Sequence, residues 1–251
     1  MVSVNMLSDG LLVAVLISLL AHEFAHMAFV RTFGGQVSKF KLSFLGAAAW
    51  VRGLEKLYFW QRFIVYLAGP ATNALIAAAA WVTARFLYGQ TELLQAIFLY
   101  NIVLCVFNML PVFPLDGGRL IQLLLGNRIG ILRANRLLLK TGPLVGGLLI
   151  GLGLVQAVLY PYNITLLCAG IYIRRKNIQL PLPLYWECIQ TLQAKDKKQM
   201  RTKKIILPKE TSVTRAVEYL GWDHSAMIYI GLSRCISEDE LLEYLCKDIA
   251  N

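Results

Sequence analysis

Residues 11–30 read LLVAVLISLLAHEFAHMAFV, an apolar run broken only by His22, Glu23 and His26. A helix that crosses a bilayer needs roughly 20 predominantly apolar residues, and this stretch supplies them. Composition places it in a membrane rather than in a soluble core. The 251 residues are 57% hydrophobic with a mean hydropathy of +0.56. Only 16% of them are charged, against roughly 25% in soluble domains. The excess lies between Leu11 and Ile173, whereas residues 174–251 have an ordinary polar composition. Residues 11–30 lack the basic leader and small-residue cleavage site of a secretory signal.

Working outward, Phe63–Ala84, Leu93–Leu110, Pro143–Tyr160 and the shorter Tyr162–Ile173 are further candidate spans, the last two joined by a Tyr-Pro-Tyr-Asn turn. Basic residues alternate between connections. Residues 31–62 carry Arg31, Lys39, Lys41, Arg52, Lys56 and Arg62, and residues 127–141 carry Arg128, Arg133, Arg136 and Lys140. The other two connections are nearly free of them, so the positive-inside rule predicts five spans with the C-terminal tail in the cytoplasm. In residues 36–52 apolar and polar positions alternate around Gly46; a hairpin at the membrane surface and an ordinary amphipathic loop fit equally.

The fold class expected is therefore an all-α polytopic membrane protein with a small α/β tail. Its parts are a membrane domain over 1–176, a basic linker over 177–202 and a tail domain over 203–251. The tail reads β-α-β-α: a strand at Lys203–Leu207, a helix from a Thr211 cap to Tyr219, a strand at Ser225–Ile230, and a helix at Glu238–Cys246. A Ser237/Glu240 capping box opens that last helix. The net charge is +10, and a dense run of basic residues follows the last span. Arg174, Arg175 and Lys176 are followed by seven basic residues and one acid over 195–209. Beside a membrane such a run marks orientation and contact with anionic lipid, and no direct nucleic acid partner is expected. Five cysteines without C-x-x-C spacing point to neither a disulfide framework nor a cysteine metal site.

Chemistry is concentrated in His22-Glu-Phe-Ala-His26. Positions i and i+4 share a helix face, so both imidazoles can reach one metal ion, and the intervening Glu23 can act as a base on water. Two of the three histidines lie in this motif, and such groups inside a span usually mark function. A catalytic zinc site takes a third protein ligand. Between Leu11 and Ile173 the acids are Glu23, Glu55, Glu92 and Asp116, and of these only Asp116 abuts an apolar segment away from a connection. It could equally be a helix N-cap. Asn73 and Asn108 are polar residues at membrane depth. Each could position a peptide carbonyl or an oxyanion, or satisfy backbone freed by a nearby proline.

His22–His26, the run Ala68-Gly-Pro-Ala-Thr-Asn73 and the run Asn108-Met-Leu-Pro-Val-Phe-Pro-Leu-Asp-Gly-Gly118 together resemble the site-2 protease family of intramembrane zinc metalloproteases. The resemblance covers residues 11–126. It implies that His22, His26 and Asp116 bind one zinc ion, that Glu23 is the general base, and that a membrane-associated protein is cut within or near the bilayer. Within that family the chain is most similar to a sporulation group that removes the pro-sequence of a sigma factor on the mother-cell side of the forespore membrane. That group has a CBS-type tail thought to sense nucleotide such as ATP, and usually one more span upstream. The resemblance leaves room for membrane-protein inhibitors and for a homo-oligomer. The rival is a metal-binding membrane receptor or transporter without proteolysis, in which Glu23 would have little use.

Overall fold

The computed structural model describes residues 2–43, 46–52, 54–86, 91–159, 164–179, 181–194, 201–208, 210–221, 224–230 and 234–243. The turn expected at 160–163 and the basic positions 195–198 and 209 lie outside them. The chain divides into two compact units, one of Met1–Leu110 with Leu115–Gly117 and one of Pro111–Pro114 with Gly118–Asn251.

The first unit contains α1 (Val2–Thr32), the strands β1 (Gln36–Ser43) and β2 (Gly46–Arg52), α2 (Phe59–Phe86) and α3 (Thr91–Asn108). The strands pair antiparallel with a bulge between Val37 and Lys39, which decides for the hairpin over the amphipathic loop. One face of α2 is built from Ala68, Gly69, Asn73, Ala77 and Ala80, all buried. Small residues let helix backbones approach closely where no hydrophobic effect drives them together. Val30, Leu57 and Val65 form a second cluster at the end of α1, with Phe33, Leu54 and Tyr66 around it.

The second unit contains α4 (Asp116–Ile129, continuing from the first), α5 (Ile131–Leu159), α6 (Thr165–Gln179), α7 (Pro181–Ala194), β3 (Arg201–Leu207), α8 (Val213–Ala216), β4 (His224–Ile230) and β5 (Arg234–Ser237). Phe113, Leu138 and Leu184 form its cluster in the helical part. Asn177 on α6 donates to the carbonyl of Phe113 at 2.6 Å, which ties down the turn that precedes α4. Arg119 of α4 pairs with Glu187 of α7 at 2.7 Å. Residues 177–202, read as a linker, thus contain a helix with Leu184, Ile189 and Leu192 buried.

Among the described residues, three helical segments are long and apolar enough to cross a membrane: Val13–Thr32, Phe59–Phe86 and Ile131–Leu159. The apolar part of α3 and the 15-residue α6 are shorter than that, so length and composition alone support three of the five spans expected. α5 also starts well before Pro143 and runs through it. The outer faces are apolar: Leu75 is 71% exposed, Phe86 76% and Val158 81%. Large apolar side chains turned outward on long helices fit lipid as the surrounding medium, not water.

In the tail, β3 and β4 run parallel, joined through α8. The Ser237/Glu240 capping box closes, with Glu240 accepting from the Ser237 N–H at 3.0 Å and Ser237 Oγ accepting from the Glu240 N–H at 3.3 Å. Two details differ from the sequence reading. The N-cap is Ser212, not Thr211. A third strand, β5, pairs antiparallel with β4; at four residues it is too short for an alternation to register. The turn of 3₁₀ helix at Val217–Tyr219 seats on the first turn of α5. Glu218 accepts from Arg133 at 3.0 Å and also pairs with Arg136. The Leu220 carbonyl accepts from the Ile131 N–H at 2.9 Å, filling one of the unpaired donors that open every helix. Burial alone would raise the Glu218 carboxyl, but the hydrogen bonds from Arg136 and Arg133 outweigh it and hold it below the usual carboxylate range. Gly130, between α4 and α5, has φ +93°, and a Cβ there would lie 1.8 Å from the Glu218 carbonyl oxygen. Gly130→Ala therefore has both a disfavoured φ and a steric overlap to relieve. It is expected to lower the thermal midpoint of the full-length protein by several degrees, a loss of about 1–3 kcal/mol. An unchanged midpoint would show that the seat is loose.

Candidate metal centre

α1 places His22 and His26 one turn apart, with ring centroids 4.8 Å from each other. Their Nε2 atoms are separated by 3.2 Å. Asp116, the first residue of α4, brings Oδ2 to 3.2 Å from His22 Nε2 and 3.3 Å from His26 Nε2. The three atoms form a nearly equilateral triangle. Among the described residues this is the group of histidines and acids able to hold a metal ion.

Their hydrogen bonds fix what each atom can do. His26 Nδ1 lies 2.6 Å from the Val65 carbonyl oxygen, which only accepts, so Nδ1 carries a proton and Nε2 is the lone-pair nitrogen of the neutral ring. His22 Nδ1 lies 2.5 Å from Asn73 Oδ1 and donates likewise. Asp116 Oδ2 is buried and has no partner in hydrogen-bonding geometry. Three electron-rich atoms thus face one another away from solvent. One proton could bridge one edge of the triangle, but only a cation at its centre satisfies all three. A tetrahedral zinc ion with bonds of about 2.0–2.1 Å holds its ligand atoms about 3.3 Å apart, which is the spacing found. Two imidazoles and a carboxylate form a three-ligand set that leaves one position open.

Two backbone features make room for this. A Cβ on Gly69 would lie 2.3 Å from His26 Nε2 and 2.5 Å from His22 Nε2, so only glycine keeps α2 this close to the site. A Cβ on Gly117 would lie 2.2 Å from the Met109 carbonyl oxygen, so that glycine lets the chain fold back tightly just after Asp116. Glu23 is half-buried, and His22, His26 and Asp116 act electrostatically on its carboxylate.

The structure therefore brings His22, Glu23, His26 and Asp116 together. Asn73 is engaged by two other side chains. It is fully buried, its oxygen facing His22 and its nitrogen donating to Asn101 Oδ1 at 2.9 Å. Asn108 donates to the Leu104 carbonyl of its own helix at 3.0 Å. Asn101, Ser18 and the role of Gly69 escaped the sequence reading. Asn101 was detectable, because like Asn73 and Asn108 it is a polar residue within an apolar span.

The sequence model of peptidase family M50 matches residues 10–92 and 87–149. Stage IV sporulation protein FB of Bacillus subtilis is 31% identical over 130 residues, which cover 52% of this chain and 45% of that protein. Putative zinc metalloprotease Rip3 of Mycobacterium tuberculosis is 35% identical over 160 residues, 61% of this chain and 40% of that protein. The chain thus spans less than half the length of either relative. The solved site-2 protease from Methanocaldococcus jannaschii shares the fold, with a TM-score of 0.55 at 23% identity over 68% of this chain and 76% of that one.

Gly69→Ala is expected to weaken zinc binding at least as much as loss of an outer-shell partner does, about 10–100-fold. Metal content after dialysis against a chelator measures this, with an unshifted circular dichroism spectrum showing the helices intact.

Proposed function

The chain belongs to peptidase family M50, the site-2 protease family, and from that premise we propose that it is an intramembrane zinc endopeptidase. The observation that carries the proposal is the triangle of His22 Nε2, His26 Nε2 and Asp116 Oδ2 with Glu23 beside it. Zinc bound there would supply Lewis acidity toward water and the scissile carbonyl. Glu23 takes the proton from the attacking water on its carboxylate and passes it to the nitrogen of the leaving amine. The Val65 carbonyl and Asn73 hold the two imidazoles by Nδ1, which turns each Nε2 toward the metal side. The second N–H of Asn108 is the one left to meet a peptide carbonyl.

The substrate proposed is a membrane-associated protein, specifically the pro-sequence of a sporulation sigma factor. The similarity to Stage IV sporulation protein FB supports this. Five spans with a cytoplasmic tail agree with the alternation of basic connections. The parallel β3–β4 pair with its helical crossover supports a regulatory tail of the CBS type.

Glu23 separates proteolysis from mere metal binding. With a co-expressed pro-sigma factor, Glu23→Gln is expected to lower cleavage by roughly 10²–10⁴-fold while zinc content stays at the wild-type level. Asp116→Ala is expected to lose both. Cleavage that persists in Glu23→Gln would leave a metal-binding receptor or transporter as the better reading.

A further inference from the structure

Behind His22 lies a chain of buried polar side chains that crosses three helices. Asn73 Nδ2 donates to Asn101 Oδ1 at 2.9 Å. Asn101 Nδ2 donates to Ser18 Oγ at 3.0 Å and to the Ile97 carbonyl at 2.9 Å. Ser18 Oγ in turn donates to the Ala14 carbonyl at 2.8 Å. His22, Asn73, Asn101 and Ser18 are all buried, Asn73 and Asn101 completely.

The direction of this chain is set at its far end. An amide can turn over and exchange its donor for its acceptor, so its orientation depends on what its neighbours accept. The Ile97 carbonyl only accepts, so the Asn101 nitrogen faces it and the Asn101 oxygen faces Asn73. Asn73 must then present its nitrogen to Asn101 and its oxygen to His22. His22 Nδ1 must donate, and the lone pair is left on Nε2, the atom in the triangle. Were the Asn73 amide reversed, Nδ1 would have to carry the lone pair and Nε2 the proton, which blocks ligation.

We propose that Asn101 is a positioning residue which, through Asn73, fixes the tautomer of His22 and so makes Nε2 available to a metal ion. This rests on reading His22, His26 and Asp116 as a metal centre. Outer partners of this kind orient a ligating histidine, and losing one usually weakens metal binding by about 10–100-fold. The alternative is that the asparagines only pin α1, α2 and α3 together.

Full-length protein in detergent distinguishes these, with zinc affinity measured by competition against a chromophoric chelator and the ligand set followed by the visible spectrum of the cobalt form. Asn101→Leu keeps the volume but releases Asn73. It is expected to weaken zinc by about 10–100-fold and to alter the cobalt spectrum. Asn73→Asp combined with Asn101→Leu is expected to restore both, because a carboxylate accepts with either oxygen and needs no orienting. A purely structural role would not be rescued by that second change. Wild-type affinity in Asn101→Leu overturns the proposal, and so does a double variant that stays defective or fails to fold. The Glu23→Gln result bears on proteolysis alone, and a wild-type protein without zinc affinity would remove the metal reading itself.

Discussion

Two imidazole nitrogens and a carboxylate oxygen, each with a lone pair when the rings are neutral, converge within 3.3 Å in a largely buried site. Without a cation that arrangement is repulsive, and burial removes the water that would screen it. Much of the first unit serves to hold it. The Val65 carbonyl and Asn73 turn the rings, Gly69 leaves them room, and Gly117 lets the chain turn closely just beyond Asp116. Hydrogen bonds to neutral backbone and amide groups suit this task, because they orient the rings without adding charge at membrane depth.

The same economy of charge governs the rest of the membrane helices. Apolar side chains cover the outer faces, while the buried positions of α2 from Ala68 to Ala80 are alanine, glycine, proline or asparagine. Where the hydrophobic effect cannot drive helices together, close backbone contact and internal polar bonds must do so. The chain from His22 to Ser18 thus both joins three helices and sets the state of a ligand.

In the second unit, charge gathers at the α4–α5 junction. There Glu218 of the tail meets Arg133 and Arg136, and the Leu220 carbonyl fills an open donor of α5. The tail is therefore seated on the membrane helices by specific bonds rather than joined to them by the chain alone. This seat depends on the left-handed backbone of Gly130, a conformation that glycine adopts without strain.

Local features were legible in the sequence because they depend on periodicity and nearest neighbours. The i, i+4 spacing put His22 and His26 on one face, and the Ser237/Glu240 box marked a helix start that the structure closes. Scarcity of acids narrowed the third metal-facing group to Asp116, although a helix N-cap remained as good a reading until the fold was in hand. The choice between hairpin and loop at 36–52, the helix within the supposed linker and the short β5 were not legible, since pairing and packing decide them. The lone pair on His22 Nε2 was also beyond the sequence. It depends on a carbonyl of α3 acting through two amides, and the direction of an amide is set only by the neighbours that folding brings to it.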